Sequence, residues 1–184
     1  RWIDTADIFC HDGPIVEGMR QSGLRTVLCV GNGLAQEPLA LAAAGFDVTA
    51  LDLSPYATEL ASTATPPRDL LSRFIGGQFA DGGQVRFVAG DLRNPDVCPG
   101  PFDVVIERRT LQLFPDAERP AALEAVAARL GSRGLFVSHS HDGRWRPPAP
   151  RRHWTRAWFE ERAWVEWRGG PLDGRACYLV CTTG

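Results

Sequence analysis

One stretch, Thr26 to Ser54, TVLCVGNGLAQEPLALAAAGFDVTALDLS, constrains the fold more than any other part of the chain. Thr26–Val30 is an almost unbroken apolar run, the pattern of a strand covered on both faces in a parallel sheet. Gly31 and Gly33 follow at once. Lacking Cβ atoms, they let the chain turn sharply. They also let a ligand lie against bare backbone at the amino end of a helix, whose first N–H groups have no partner inside the helix. The spacing predicts that helix over 36–44, stopped at Gly45, and a second strand over 47–51. Asp52 then stands at the carboxyl end of the second strand, about 20 residues after the turn, where a carboxylate can accept both hydroxyls of a ribose.

Two cofactor classes use such a turn. A dinucleotide site wants Gly-x-Gly-x-x-Gly, with the third glycine allowing close helix packing beside a pyrophosphate. Here the sixth position is Gln36, and an acidic Glu37 follows it. A bulky amide and a carboxylate are poor company for a diphosphate but suit a cofactor with a ribose, an adenine and no phosphate. On Gly31, Gly33 and Asp52 the sequence resembles the class I S-adenosylmethionine-dependent methyltransferases. In that family the position of Cys29 is usually acidic and that of Ala35 usually glycine, so the match is partial.

The remaining elements read in the same sense. Residues 2–22 are expected to be one helix or two, broken near Gly13-Pro14, with Trp2 and Phe9 as candidate contacts if the segment closes as a lid. Ser54 caps a short helix that begins at Pro55 and runs to about Ser62. Leu70, Leu71, Phe74, Ile75 and Phe79 recur at helical spacing over 69–79, with Gly76-Gly77 loosening that helix. A third strand over 85–89 ends in Gly90-Asp91-Leu92. The resemblance implies that Asp91 accepts the adenine amine while the backbone N–H of Leu92 meets a ring nitrogen. A plain turn aspartate is the other reading. Strand four, 102–106, leads into Glu107-Arg108-Arg109-Thr110-Leu111-Gln112-Leu113-Phe114-Pro115 at the switch point of a doubly wound sheet. FDVVIERRTLQLFP resembles the small-molecule branch that includes thiopurine- and thiol-methyltransferase-like proteins. Glu107 is read as orienting an acceptor or taking a proton, or as an ion-pair partner of Arg108 or Arg109.

An alanine-rich helix is expected over 116–130, ended by Gly131 and Gly134, and a fifth strand over 135–138. Then comes Ser138-His139-Ser140-His141-Asp142. His139 and His141, two apart, share a face of an extended segment. They are candidates for acid–base work, for hydrogen-bonded structural roles, or for a metal pair that only Asp142 and His153 could complete; no metal is assigned. Residues 143–153, GRWRPPAPRRH, form a basic, proline-rich connection, followed by a short helix over 154–162 and strands over 164–168 and 176–182, which a short turn makes antiparallel.

With 184 residues, 44% hydrophobic and 23% charged, the chain can bury one ordinary core. A formal charge of −2 argues against a nucleic-acid grip made by bulk positive charge. No stretch is apolar for long enough to cross a membrane and no secretory leader is read, so a cytoplasmic location is expected. The five cysteines, Cys10, Cys29, Cys98, Cys177 and Cys181, form no CxxC and read as reduced thiols.

The expected fold is a single-domain α/β structure, a doubly wound, seven-stranded, mainly parallel sheet with a C-terminal antiparallel β-hairpin. Residues 1–23 form a helical lid, 24–142 the cofactor-binding core, and 143–184 the basic loop, short helix and closing hairpin. The resemblance implies S-adenosyl-L-methionine as cofactor, held by Gly31, Asn32, Gly33, Asp52, Leu53, Asp91, Leu92 and Glu107, with Glu107, His139 and His141 as catalytic candidates. The acceptor is expected to be a small-molecule sulfur, oxygen or nitrogen nucleophile. Two other classes stay open: a non-catalytic module that senses S-adenosylmethionine or S-adenosylhomocysteine, and a nicotinamide-dependent oxidoreductase, which Gln36 and the terminal hairpin disfavour.

Overall fold

The structure is a computed structural model that describes residues 14–33, 36–63, 74–75, 78–79, 82–141, 165–167 and 176–182. The order of its elements is α1 (Pro14–Gln21), β1 (Thr26–Val30), α2 (Gln36–Ala43), β2 (Asp47–Asp52), α3 (Pro55–Thr63), β3 (Phe74–Ile75), β4 (Gln78–Phe79), β5 (Gln84–Ala89), β6 (Phe102–Arg108), a single 3-10 turn (Leu111–Leu113), α4 (Arg119–Ala127), β7 (Leu130–His141), β8 (Val165–Trp167) and β9 (Ala176–Thr182). Strands hydrogen-bond in the order β5-β2-β1-β6-β7-β9-β8. The pairs from β5 to β7 are all parallel, whereas β9 runs antiparallel to both β7 and β8.

β1 lies in the middle of the parallel strands, and its burial shows it: Val27, Leu28, Cys29 and Val30 are all buried, as expected where helices cover both faces. Alternate side chains go to opposite sides. Val27 and Cys29, with Val104 and Ile106 of β6, join a core built on Val16 and Met19 of α1 and Leu39 and Leu41 of α2. Leu28 and Val30, with Val105, join Ala122, Leu123 and Val126 of α4. The carboxyl ends of the strands are laced together by backbone bonds, Gly31 N–H to Leu51 O at 2.7 Å and Gly90 N–H to Asp52 O at 2.9 Å. Those ends therefore form one rigid edge.

Two expectations change. The apolar stripe over 69–79 is not helical where the structure describes it. Phe74 pairs with Phe79 and Ile75 with Gln78 in antiparallel register. Only two residues, Gly76-Gly77, separate the strands, and two successive glycines cost a helix about 1 kcal/mol each relative to alanine. The helix expected over 116–130 is shorter, Arg119–Ala127, and β7 is longer than the 135–138 foreseen. The cause is Arg129. Its buried guanidinium donates to the carbonyls of Asn94, Val97, Cys98 and Ala125, and its own carbonyl accepts from Phe102 N–H at 2.8 Å. That set of bonds draws Leu130 beside Phe102 and starts the strand early, with a register shift between Phe102 and Val104.

Among the described residues no helix is long and apolar enough to cross a membrane. The segments that carry Trp2, Phe9, Asp142, the basic connection 143–153 and the helix expected over 154–162 lie outside the described residues.

Candidate functional site

Because β1 ends where the chain must turn back into α2, the turn concentrates backbone polarity at one point. Gly31 and Gly33 both adopt positive φ, 71° and 48°, which non-glycine residues reach only at a cost. Their surroundings differ. Gly33 faces open space among the described residues, none of which comes within 4 Å of where a Cβ would stand. Gly31 is roofed by Thr110, whose hydroxyl donates to Val30 O at 3.0 Å. Gly31 therefore owes its identity to close packing of the switch-point segment, and Gly33 keeps an exposed face that a ligand can use.

Between them Asn32 is 6% exposed, donates through Nδ2 to Gly33 O at 3.2 Å, and has a buried Oδ1 with no hydrogen-bond partner among the described residues. An orphaned buried acceptor costs about 1–3 kcal/mol unless a ligand donor meets it. Asp52 completes the turn. One carboxylate oxygen accepts Gly33 N–H at 3.0 Å and the other accepts Ser54 N–H at 2.9 Å. Since an ionised carboxylate has about four acceptor positions, Asp52 retains capacity for two hydroxyls. Ser54 caps α3 as its position suggested, its hydroxyl accepting Ala57 N–H at 3.2 Å. Leu53, between them, is 70% exposed.

At the end of β5, Asp91 is already engaged. Arg93 donates to it from its backbone at 2.8 Å and from its guanidinium at 2.7 Å, and the same guanidinium reaches Glu118 and lies over the Phe114 ring, 5.5 Å from its centroid. These bonds hold the Asp91 carboxyl below its usual range. Leu92 is buried in the core on the α4 side.

Glu107, at the end of β6, is 2% exposed. It accepts the Ser138 hydroxyl on one oxygen, and Thr110 N–H at 2.9 Å and Leu111 N–H at 3.1 Å on the other. Burial pushes its pKa up, against the pull of these three bonds. The carboxylate thus clamps a turn in which Arg109 has φ 63°, a left-handed conformation unusual for a side-chain-bearing residue. Arg108 faces the other way and forms an ion pair with Glu37 of α2. Beyond the turn, Leu113 is 78% exposed.

His139 and His141 sit in β7 just past Ser138, His139 in register with Arg108 and with Tyr178 of β9. Their side chains lie outside the described residues. Among the described residues no group of three or more His, Cys, Asp or Glu could hold a metal ion. The structure therefore gathers Gly31, Asn32, Gly33, Asp52, Leu53, Asp91 and Glu107 at one edge of the sheet. Sequence reading missed the contributions of Thr110, Ser138, Arg93 and the Glu37–Arg108 pair. The Ser138 and Glu37–Arg108 contacts, and the Thr110 hydroxyl on Val30 O, join residues far apart in sequence and depend on strand register and helix placement, whereas Arg93 lies two residues from Asp91 and was open to a local reading.

This geometry has known counterparts. The family model described as "Methyltransferase domain" matches residues 27–134, which carry the turn and both acidic strand ends. No curated protein is significantly similar in sequence. Among solved structures, magnesium protoporphyrin IX methyltransferase from Synechocystis, with bound S-adenosylmethionine, superposes with a TM-score of 0.67 at 20% identity, over 92% of this chain and 76% of that one. A TehB-like methyltransferase from Corynebacterium glutamicum gives 0.65 at 18% identity, over 94% and 90%. Mitomycin 7-O-methyltransferase gives 0.64 at 17% identity, over 89% of this chain and 50% of its own length.

Proposed function

The chain belongs to the methyltransferase domain family, and from that premise we propose that it transfers a methyl group from S-adenosylmethionine to a nucleophilic sulfur, oxygen or nitrogen of a small molecule. The observation that carries the reading is the polar cradle at the ends of β1 and β2: open space over Gly33, the orphaned Asn32 Oδ1, and the Asp52 carboxylate with acceptor capacity to spare. These groups fit a nucleoside without a phosphate. Bound S-adenosylmethionine supplies an electrophilic methyl group on a sulfonium.

The protein's own part is binding, alignment and exclusion of water. Asp52 takes the ribose hydroxyls, the exposed Leu53 offers an apolar face to the base, and Asp91 with the backbone of Leu92 reads the adenine edge, Asp91 sharing its oxygens with Arg93. Glu107 holds the switch-point turn under the acceptor, and its raised pKa suits a proton-handling group. His139 or His141 removes a proton where the acceptor must lose one. The exposed Leu113 and the FDVVIERRTLQLFP pattern support an apolar small-molecule acceptor of the thiopurine- or thiol-methyltransferase kind. Methyltransferases of magnesium protoporphyrin and of mitomycin among the structural neighbours agree with that size class. We also read β8 and β9 as a closing hairpin that brings the sheet to seven strands.

Calorimetry with S-adenosylmethionine, S-adenosylhomocysteine and NAD tests the cofactor. The two sulfur nucleosides should bind and NAD should not. In Asp52→Ala the ribose hydroxyls lose charge-assisted bonds, so affinity for S-adenosylhomocysteine should fall at least about tenfold; affinity equal to wild type would remove Asp52 from the site.

A methyl-transfer screen over thiols, phenols and amines then tests the chemistry. With the best acceptor, whichever of Glu107→Gln, His139→Ala or His141→Ala removes a proton-transfer group should lower the rate by about 10²-fold or more while cofactor binding stays near wild type. If wild type binds S-adenosylhomocysteine but methylates nothing in the screen, the transferase reading gives way to a binding module.

A further inference from the structure

From the placement of one buried ion pair we infer that Glu37 and Arg108 together form the receptor for the amino-acid end of the cofactor, Glu37 taking its α-ammonium group and Arg108 its α-carboxylate. The inference rests on the cofactor reading above and deepens it.

Strand alternation puts the pair where that end of a nucleoside-linked amino acid would lie. Ile106 and Cys29 face the α2 side of the sheet, so Arg108, two residues beyond Ile106, continues on that side, while Glu107 turns to Ser138 on its own level. Val30 is in register with Glu107, which sets Arg108 level with Gly31. Glu37, the second residue of α2, lies in the helix's first turn, directly after the glycines. Helix and strand thus deliver one negative and one positive group to the rim of the turn, and the two side chains are only 12% and 14% exposed.

A pair so placed contributes little to stability, because withdrawing both charges from water costs about what their attraction returns. This pair is also incomplete. Oε1 of Glu37 is buried and held against the Arg108 guanidinium as an ion pair, and among the described residues no other donor reaches it. An ammonium group would supply one. β1 brings no charge of its own beside the pair: Gly31 stands level with Arg108, and Cys29, two residues earlier on the same face, is a buried thiol whose pKa is raised by burial and then by the nearby Glu37 charge. An amino acid carries its two opposite charges on one carbon, so an anion and a cation side by side match it, and each new contact is charge-assisted.

The test is a ligand series measured by calorimetry on the full chain: S-adenosylhomocysteine, its analogue lacking the α-amine, its analogue lacking the α-carboxylate, and 5′-methylthioadenosine, which lacks both. Wild type should bind S-adenosylhomocysteine at least about tenfold more tightly than each of the others. Glu37→Gln should lose the preference over the deaminated analogue and keep the preference for a carboxylate. Arg108→Gln should do the reverse, and Arg108→Lys should restore part of the carboxylate preference. A pair that merely ties α2 to β6 would lower the melting temperature and leave these ratios unchanged, which overturns the inference. Should wild type bind methylthioadenosine as tightly as S-adenosylhomocysteine, the receptor falls while the cofactor reading stands. Failure of wild type to bind any of the four removes both.

Discussion

Gly31→Ala is expected to lower the unfolding free energy by about 2–5 kcal/mol and to abolish cofactor binding with it. Two costs add. A Cβ at φ 71° forces an ordinary residue into the left-handed region, worth about 1–2 kcal/mol. The same atom would stand 2.9 Å from the Cβ and 2.8 Å from the Cγ2 of Thr110, inside any real contact distance. Thr110 cannot simply swing aside, because its hydroxyl is bonded to Val30 O. The double variant Gly31→Ala/Thr110→Ala should recover part of the loss, since the overlap shrinks but the backbone strain stays. Urea unfolding of both single variants and the double variant gives the coupling directly. A Gly31→Ala protein within about 0.5 kcal/mol of wild type would mean that Thr110 does not roof the turn.

Glu107→Ala comes next, at about 3–5 kcal/mol. It leaves the Ser138 hydroxyl and the N–H groups of Thr110 and Leu111 without their acceptor inside a nearly closed site. Glu107→Gln should be much milder, because its amide can donate to Ser138 and its carbonyl can keep both backbone N–H groups. The two variants also separate by pH. Burial raises the folded-state pKa of Glu107 above its ordinary value, so the native state holds this proton at a pH where the unfolded chain has released it. Glu107 therefore contributes stability that is full below the ordinary carboxyl pKa, declines as pH rises through the folded-state pKa, and is level beyond it. Glu107→Gln cannot show that decline. The check is the urea midpoint of both proteins in half-unit steps upward from the ordinary carboxyl range; parallel curves would mean that the carboxyl group does not titrate abnormally.

What was readable before the structure, and what was not, follows from the range of the forces involved. The apolar run 26–30, the turn at Gly31-Asn32-Gly33, the cap at Ser54 and the strand ending in Asp52 are local. Each is a matter of which residues tolerate a turn, cover a strand or accept a nearby N–H, and all of these stand where their pattern placed them. The stripe over 69–79 misled because a spacing of three and four also fits short strands on either side of two glycines, and only the pairing of Phe74 with Phe79 separates the cases. The end of α4 was misplaced because Arg129, a good helix former by itself, finds more carbonyl partners outside the helix than within it.

At the site, the chain by itself named the groups proposed to meet a nucleoside, a bare glycine backbone and acidic residues at successive strand ends, since side-chain chemistry and strand order are written in the residues. Tertiary structure alone decided how those groups are engaged. Glu107 and Arg108 are adjacent in sequence and looked like partners, yet the pleat sends them to opposite faces of the sheet. There Glu107 meets Ser138 and the Thr110 turn, while Arg108 meets Glu37, because a carboxylate bonds to whatever donor the fold packs against it and no sequence spacing specifies that neighbour.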